Sequence, residues 1–261
     1  MNGILMALFG TLGTFLITAL GAAGIFFVRR EVSGNLQCGF LGFAGGVMIA
    51  ASVWSLLLPG IDFAEANGQV GWLVMTGGFL LGVITLLVAD GLMKAWYERE
   101  KSTQLTLGKS TAMLIIAITT HNIPEGMAVG AVYAGWLYGD SGITLAGALA
   151  LSLGIAIQNF PEGAIISMPL KAEGVSKSRS FLYGTLSGAV EPIGAILTIL
   201  LAGILVPVLP YALSFAAGAM VYVVVEELIP EMSVGKHSNI GTILFAVGFT
   251  LMMTLDVALG A

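Results

Sequence analysis

Residues 110–135 read STAMLIIAITTHNIPEGMAVGAVYAG, a long apolar run with no Lys or Arg, and the hexapeptide His121-Asn122-Ile123-Pro124-Glu125-Gly126 lies in its middle. A membrane-spanning helix needs about 20 apolar residues, so the run is long enough to cross a bilayer. A charged side chain at the centre of such a helix costs about 3 kcal/mol on insertion scales. A carboxylate there therefore calls for a partner. The hexapeptide recurs as Gln158-Asn159-Phe160-Pro161-Glu162-Gly163 in a second apolar segment. Two carboxylates in matched settings point to one shared polar site.

The rest of the chain has the same character. It is 57% hydrophobic and only 10% charged, with a mean hydropathy of +0.97. A soluble domain carries about 25% charged residues, so this chain is read as a polytopic membrane protein. Span-length segments fall at 4–28, 36–58, 70–93, 110–135, 143–170, 180–204, 208–230 and 240–260. With no water in the bilayer core to satisfy backbone groups, each segment must be helical. The expected fold is all-α: eight transmembrane helices, with helices 4 and 5 kinked at the core, in a single membrane domain over 1–261.

The ten basic residues set the orientation. They are Arg29, Arg30, Lys94, Arg99, Lys101, Lys109, Lys171, Lys177, Arg179 and Lys236, and every one falls at connection 1–2, 3–4, 5–6 or 7–8. The alternate connections hold acidic residues such as Asp62 and Glu65. By the positive-inside rule the basic loops face the cytoplasm and both termini lie outside, across the plasma or inner cell membrane. The first segment lacks a basic leader, and Arg29-Arg30 follow it, so it is read as a retained helix rather than a signal peptide. A net charge of −5 argues against nucleic acid as a partner. The single cysteine, Cys38, excludes an intramolecular disulfide and a thiolate metal cluster.

In a helix, residues three and four apart share a face. His121, Asn122 and Glu125 therefore form one polar ladder, and Gln158, Asn159 and Glu162 another. Pro124 and Pro161 free the carbonyls of Thr120 and Ile157 and should kink their helices. In membranes such openings line cavities and ion sites, while Gly126 and Gly163 permit close helix approach. A third acid, Glu191, precedes Pro192 in the sixth segment. No Lys or Arg in these spans offsets the three carboxylates. Either they are protonated or they hold a cation, and a divalent metal reconciles several carboxylates with imidazole and amide ligands. Carboxylate and imidazole without thiolate suit Zn²⁺, Fe²⁺, Mn²⁺ or Co²⁺ rather than Cu⁺. The competing structural reading is that these polar groups bond one another across the bundle.

The strings HNIPEG in a fourth span, QNFPEG in a fifth and EP in a sixth resemble the ZIP family of divalent metal transporters, and more closely its GufA-like branch. The resemblance covers essentially the whole chain. It implies a binuclear metal centre at mid-membrane, with one site at His121, Glu125, Gln158 and Glu162, and a second at Asn122, Glu125, Asn159, Glu162 and Glu191. It also implies entry of Zn²⁺, and of Cd²⁺, Fe²⁺ or Mn²⁺, into the cytoplasm by alternating access of one helix group against another, in a homodimer. The second site of such proteins often has Asp where this chain has Asn159, which removes one charge.

Further residues are candidates for the route on either side. Met220 and Glu227 are seven apart, a spacing that shares a helix face, and with Glu226, Asp90 and loop residue His237 they mark an inward path. Asp62 and Met48 mark an entrance at the outer end of segment two. Asp256 lies about 24 Å from the inner start of segment eight at 1.5 Å per residue, in its outer half. An intramembrane metalloenzyme is the alternative of a different class. It would need an open metal position and an activated water, yet the chain has two histidines and no His-Glu-x-x-His string. A channel or metal sensor is the third possibility, for which weak, multiple sites would be expected.

Overall fold

A computed structural model describes residues 3–27, 33–99, 109–138, 143–172, 174–204, 208–233 and 239–259. Among these there is no strand. The helices are α1 (Gly3–Ala23), α2 (Gly34–Ala51), α3 (Leu58–Ala66), α4 (Gly71–Arg99), α5 (Lys109–Tyr138), α6 (Leu145–Ala172), α7 (Lys177–Gly188), α8 (Val190–Ile204), α9 (Leu209–Val223), α10 (Ile229–Met232) and α11 (Ile240–Leu259). Seven stretches are long and apolar enough to cross a bilayer: Leu5–Phe26, Gly34–Ala66, Gly71–Leu92, Leu145–Lys171, Lys177–Ala202, Leu209–Met232 and Ile240–Leu259. The remaining expected span is α5, a helix of 30 residues.

The second and seventh spans are each composite. A π-helical turn, Ser52–Leu57, joins α2 to α3, and another, Val224–Leu228, joins α9 to α10. Both have the same local cause. Pro59 and Pro230 stand just downstream and cannot donate to the carbonyls four residues back, at Ser55 and Glu226, so the helix widens by a residue rather than ending. The second span thus runs to Ala66, well past the Pro59 region where the hydropathy pattern ends it. The prolines expected to kink the fourth and fifth spans, Pro124 and Pro161, sit inside unbroken helical runs. The sixth span is interrupted instead at Ala189, between α7 and α8, immediately before Glu191-Pro192. Where the chain must reverse tightly it uses glycine in the left-handed region, with Gly68 at φ 72° after α3 and Gly174 at φ 90° after α6.

The bundle is built from close helix pairs: α1 on α6, α2 on α11, α4 on α9 and α5 on α8. Small residues make these approaches possible. A Cβ on Gly46 would strike the Phe245 carbonyl of α11, and one on Gly82 the Phe215 carbonyl of α9. The pairs gather into two groups, α1 with α5–α8 and α2–α4 with α9–α11. The groups meet where α5 crosses α9 and where α6 packs on α2 and α11. Residues such as Leu80, Leu81, Ile243 and Val247 point outward, as suits helices solvated by lipid.

Candidate metal centre

Both hexapeptides expose their third residue, Ile123 and Phe160, and bury Asn122, Glu125, Gln158, Asn159 and Glu162. Asn122, Glu125, Gln158 and Asn159 are fully buried, and Glu162 and Glu191 nearly so. The motif glycines fix what lies opposite. A Cβ on Gly126 would collide with the backbone of Glu191 on α8, and one on Gly163 with the carbonyl of Thr18 on α1. Four helices, α1, α5, α6 and α8, therefore converge on one buried polar cluster.

The hydrogen bonds inside that cluster follow one pattern. Gln158 Nε2 donates to Glu125 Oε1 at 2.6 Å. Asn159 Nδ2 donates to Glu191 Oε2 at 2.7 Å and to the Thr14 carbonyl at 3.4 Å. Asn122 Nδ2 donates to the Ser187 carbonyl at 3.0 Å. Each amide nitrogen is held by a carboxyl or backbone carbonyl oxygen acting as acceptor. The oxygens are left over: Asn122 Oδ1, Glu125 Oε2, Gln158 Oε1, Asn159 Oδ1 and Glu162 Oε2 are buried with no hydrogen-bond partner among the described residues. Leaving one buried polar atom unsatisfied costs about 1–3 kcal/mol. Five together in one place form an unmet oxygen donor set.

Glu125, Glu162 and Glu191 lie within electrostatic reach of one another. The ion pairs of Lys94 with Asp90 and Glu226 lie elsewhere in the fold. No three His, Cys, Asp or Glu side chains among the described residues make a complete metal cage by themselves. The amide nitrogens of Gln158 and Asn159 bond Glu125 and Glu191, which leaves the amide oxygens beside those carboxylates without partners among the described residues. His121 is on α5, one residue before Asn122, and its side chain lies outside the described residues.

The candidate route residues fall in three places. Asp62 of α3 and Asp256 of α11 both line a cavity of about 280 Å³ with Ser55, Trp54 and Thr144. Ser55 Oγ donates to Asp256 Oδ1 at 2.6 Å, while Asp256 Oδ2 is buried and unpartnered. Met48 and Met220 are fully buried in the core, and Met48 does not line that cavity. At the other end, Lys94 Nζ pairs with Asp90 Oδ2 at 2.6 Å and Glu226 at 3.7 Å, and Tyr222 donates to Asp90 Oδ2 at 3.4 Å. The hydrogen bond from Lys94 to Asp90 holds the ammonium above the ordinary lysine pKa. The expected shared face of Met220 and Glu227 does not carry across, because the π turn Val224–Leu228 intervenes and shifts the register. His237 lies outside the described residues.

Sequence reasoning missed the part played by α1. Thr18 Oγ1 lies 3.2 Å from Glu191 Oε1, and Thr14 offers its carbonyl to Asn159. The readable signal was Thr11-Thr14-Thr18, hydroxyls at helical spacing on an otherwise apolar helix.

The family model described as ZIP zinc transporter matches residues 98–256. The chain is 37% identical to zinc transporter ZIP11 of Xenopus tropicalis, over 98% of each protein. It is 36% identical to zinc transporter ZIPB of Bordetella bronchiseptica, over 97% of this chain and 81% of that one. With zinc transporter GufA of Myxococcus xanthus the identity is 34%, over 93% of this chain and 94% of the other. The chain belongs to the ZIP family of zinc transporters, and is a membrane transporter of divalent metal rather than an enzyme.

Proposed function

We propose that the protein carries Zn²⁺ into the cytoplasm through a binuclear centre at the crossing of α5 and α6. One site takes His121, Glu125, Gln158 and Glu162; the other takes Asn122, Glu125, Asn159, Glu162 and Glu191. The observation that carries this reading is the set of five unpartnered buried oxygens spread over both hexapeptides. A divalent cation would satisfy them together and offset the carboxylates in the same step. Carboxylate and amide oxygens with one imidazole also accommodate Cd²⁺, Fe²⁺ and Mn²⁺.

The chain acts as one membrane domain over 1–261, in the cell membrane with both termini outside, and as a homodimer. In that orientation the cavity bearing Asp62 and Asp256 is the entrance, with Met48 deeper on the same helix line. Met220, Asp90, Glu226, Glu227 and His237 belong to the inner route. The grouping of α1 with α5–α8 supports alternating access, with that group moving against the other along the α5–α9 and α6–α2 contacts.

The test is Zn²⁺ and Cd²⁺ entry into sealed liposomes, with wild type and Glu162→Ala at matched incorporation. Saturable entry lost in the variant is the expected result. Equal entry in both would remove the centre from the transport route, and entry that never saturates would replace the carrier with a channel.

A further inference from the structure

We infer that α1 belongs to the metal-handling machinery through Thr18, a positioning residue that, with Thr14, holds Glu191 and Asn159 as one preformed acid–amide unit of the second site. The inference rests on the binuclear reading and adds to it a residue outside the motifs of α5, α6 and α8.

The unit is held from both ends. Glu191 Oε1 faces Thr18 Oγ1 at 3.2 Å, and Glu191 Oε2 accepts from Asn159 Nδ2 at 2.7 Å. The same nitrogen reaches the Thr14 carbonyl at 3.4 Å, while the Thr14 hydroxyl donates to the Thr11 carbonyl at 2.9 Å within its own helix. Thr14, Thr18, Asn159 and Glu191 are all buried, so neighbouring groups rather than bulk water must supply these bonds. If the Asn159 amide flipped, its oxygen would face two acceptors, the carboxylate and the Thr14 carbonyl. The unit therefore keeps Asn159 Oδ1 free and available to metal.

A threonine hydroxyl in a membrane helix ordinarily bonds the carbonyl four residues back, and Thr18 Oγ1 does lie 3.3 Å from the Thr14 carbonyl. It has one proton and two acceptors at nearly equal distance. The contact with Glu191 is the shorter of the two and the one that ties α1 to α8. The position of Thr18 is set by more than its own helix. Gly163 of α6 gives room for its carbonyl, and Gly188 of α7 leaves room for both its methyl group and Glu191 Oε1. Thr18 is thus pinned by close approach on two sides, with its hydroxyl aimed at the carboxylate.

Thr18→Val keeps the shape and removes only the donor. Groups that orient metal ligands are worth about 10–100-fold in affinity. The experiment measures Zn²⁺ stoichiometry and affinity of the purified full-length protein by chelator competition, in wild type, Thr18→Val and Thr18→Ser. The expected result is two bound ions in wild type, with the weaker site losing about tenfold or more in Thr18→Val, the tighter site unchanged, and Thr18→Ser close to wild type. Two ions held at wild-type affinities in Thr18→Val would overturn the inference and leave the binuclear reading standing. One ion in wild type would overturn both. Should Thr18→Val fail to fold, Thr18→Ser against Thr18→Ala repeats the comparison with the hydroxyl as the sole difference, and equal second-site affinities in that pair overturn the inference.

Discussion

Gln158 Nε2 of α6 donates to Glu125 Oε1 of α5 at 2.6 Å, a direct bond between the two copies of the hexapeptide. It couples the first position of one copy to the fifth position of the other. It also divides Glu125 into one satisfied oxygen and one with no hydrogen-bond partner among the described residues. The glutamate therefore presents a single preferred face to a cation, and Gln158 presents its own oxygen beside it.

Gln158→Ala removes that donor and leaves Glu125 Oε1 buried without a partner, at a cost of about 1–3 kcal/mol. Thermal unfolding of the metal-free protein in detergent should occur at a lower temperature than in wild type. Liposome Zn²⁺ entry should fall along with it. A variant as stable as wild type would mean that the bond is not present in the metal-free protein.

Asn159→Asp tests the one position where the motif carries an amide in place of the acid common in similar proteins. An ionised aspartate cannot donate to Glu191 Oε2, which now accepts from Asn159 at 2.7 Å, so the metal-free site must set two carboxylates face to face or take up a proton. The metal-free variant should be less stable than wild type. Zn²⁺ should raise its unfolding temperature by more than it raises that of wild type, because the added charge strengthens metal binding and the metal relieves the repulsion. A Zn²⁺-induced shift no larger than in wild type would place residue 159 outside the site.

Asp256→Asn and Ser55→Ala address the proposed entrance. Asp256 Oδ2 is buried and free while Oδ1 is held by Ser55, so the first substitution removes charge and the second removes only the orienting donor. With the Glu125/Glu162 centre intact, both should raise the Zn²⁺ concentration for half-maximal entry, Asp256→Asn the more, and change the maximal rate less. A fall in maximal rate at unchanged half-saturation would assign Asp256 to a conformational step instead.

Much of this fold was legible because its signals are local. Hydropathy marks the spans, and spacing places Asn122 and Glu125, or Asn159 and Glu162, on one helix face. The helical rise alone put Asp256 in the terminal-side half of its span, where it shares a cavity with Asp62. What was not legible depended on contacts between distant segments. Thr18 meets Glu191 across 173 residues of sequence, and nothing near Thr18 announces that partner. The Met220–Glu227 relation failed for a local reason visible afterwards: Pro230 takes a donor from the Glu226 carbonyl, and the π turn absorbs the mismatch. The same reading of Pro59 would have extended the second span to Ala66.

Gly163 and Gly77 make a matched pair for the role of close helix approach. Both are interior helix glycines, and an alanine in an unobstructed helix position is favoured over glycine by about 0.5–1 kcal/mol. A Cβ at Gly77 would meet nothing within 4 Å, so Gly77→Ala should be neutral or slightly stabilising. A Cβ at Gly163 would run into the Thr18 carbonyl and the Ala22 nitrogen, both backbone atoms of α1, and neither can move without shifting the whole helix. Overpacking of this kind costs about 1–3 kcal/mol, occasionally more, and here it would also carry Thr18 away from Glu191. Gly163→Ala should therefore lower the unfolding temperature and weaken Zn²⁺ binding together, while Gly77→Ala does neither. Fluorescence-detected size exclusion after a heating series, with and without Zn²⁺, measures both effects. A Gly163→Ala protein with wild-type stability and wild-type Zn²⁺ response would show that α1 does not need to approach α6 this closely, and that the second site does not depend on that contact.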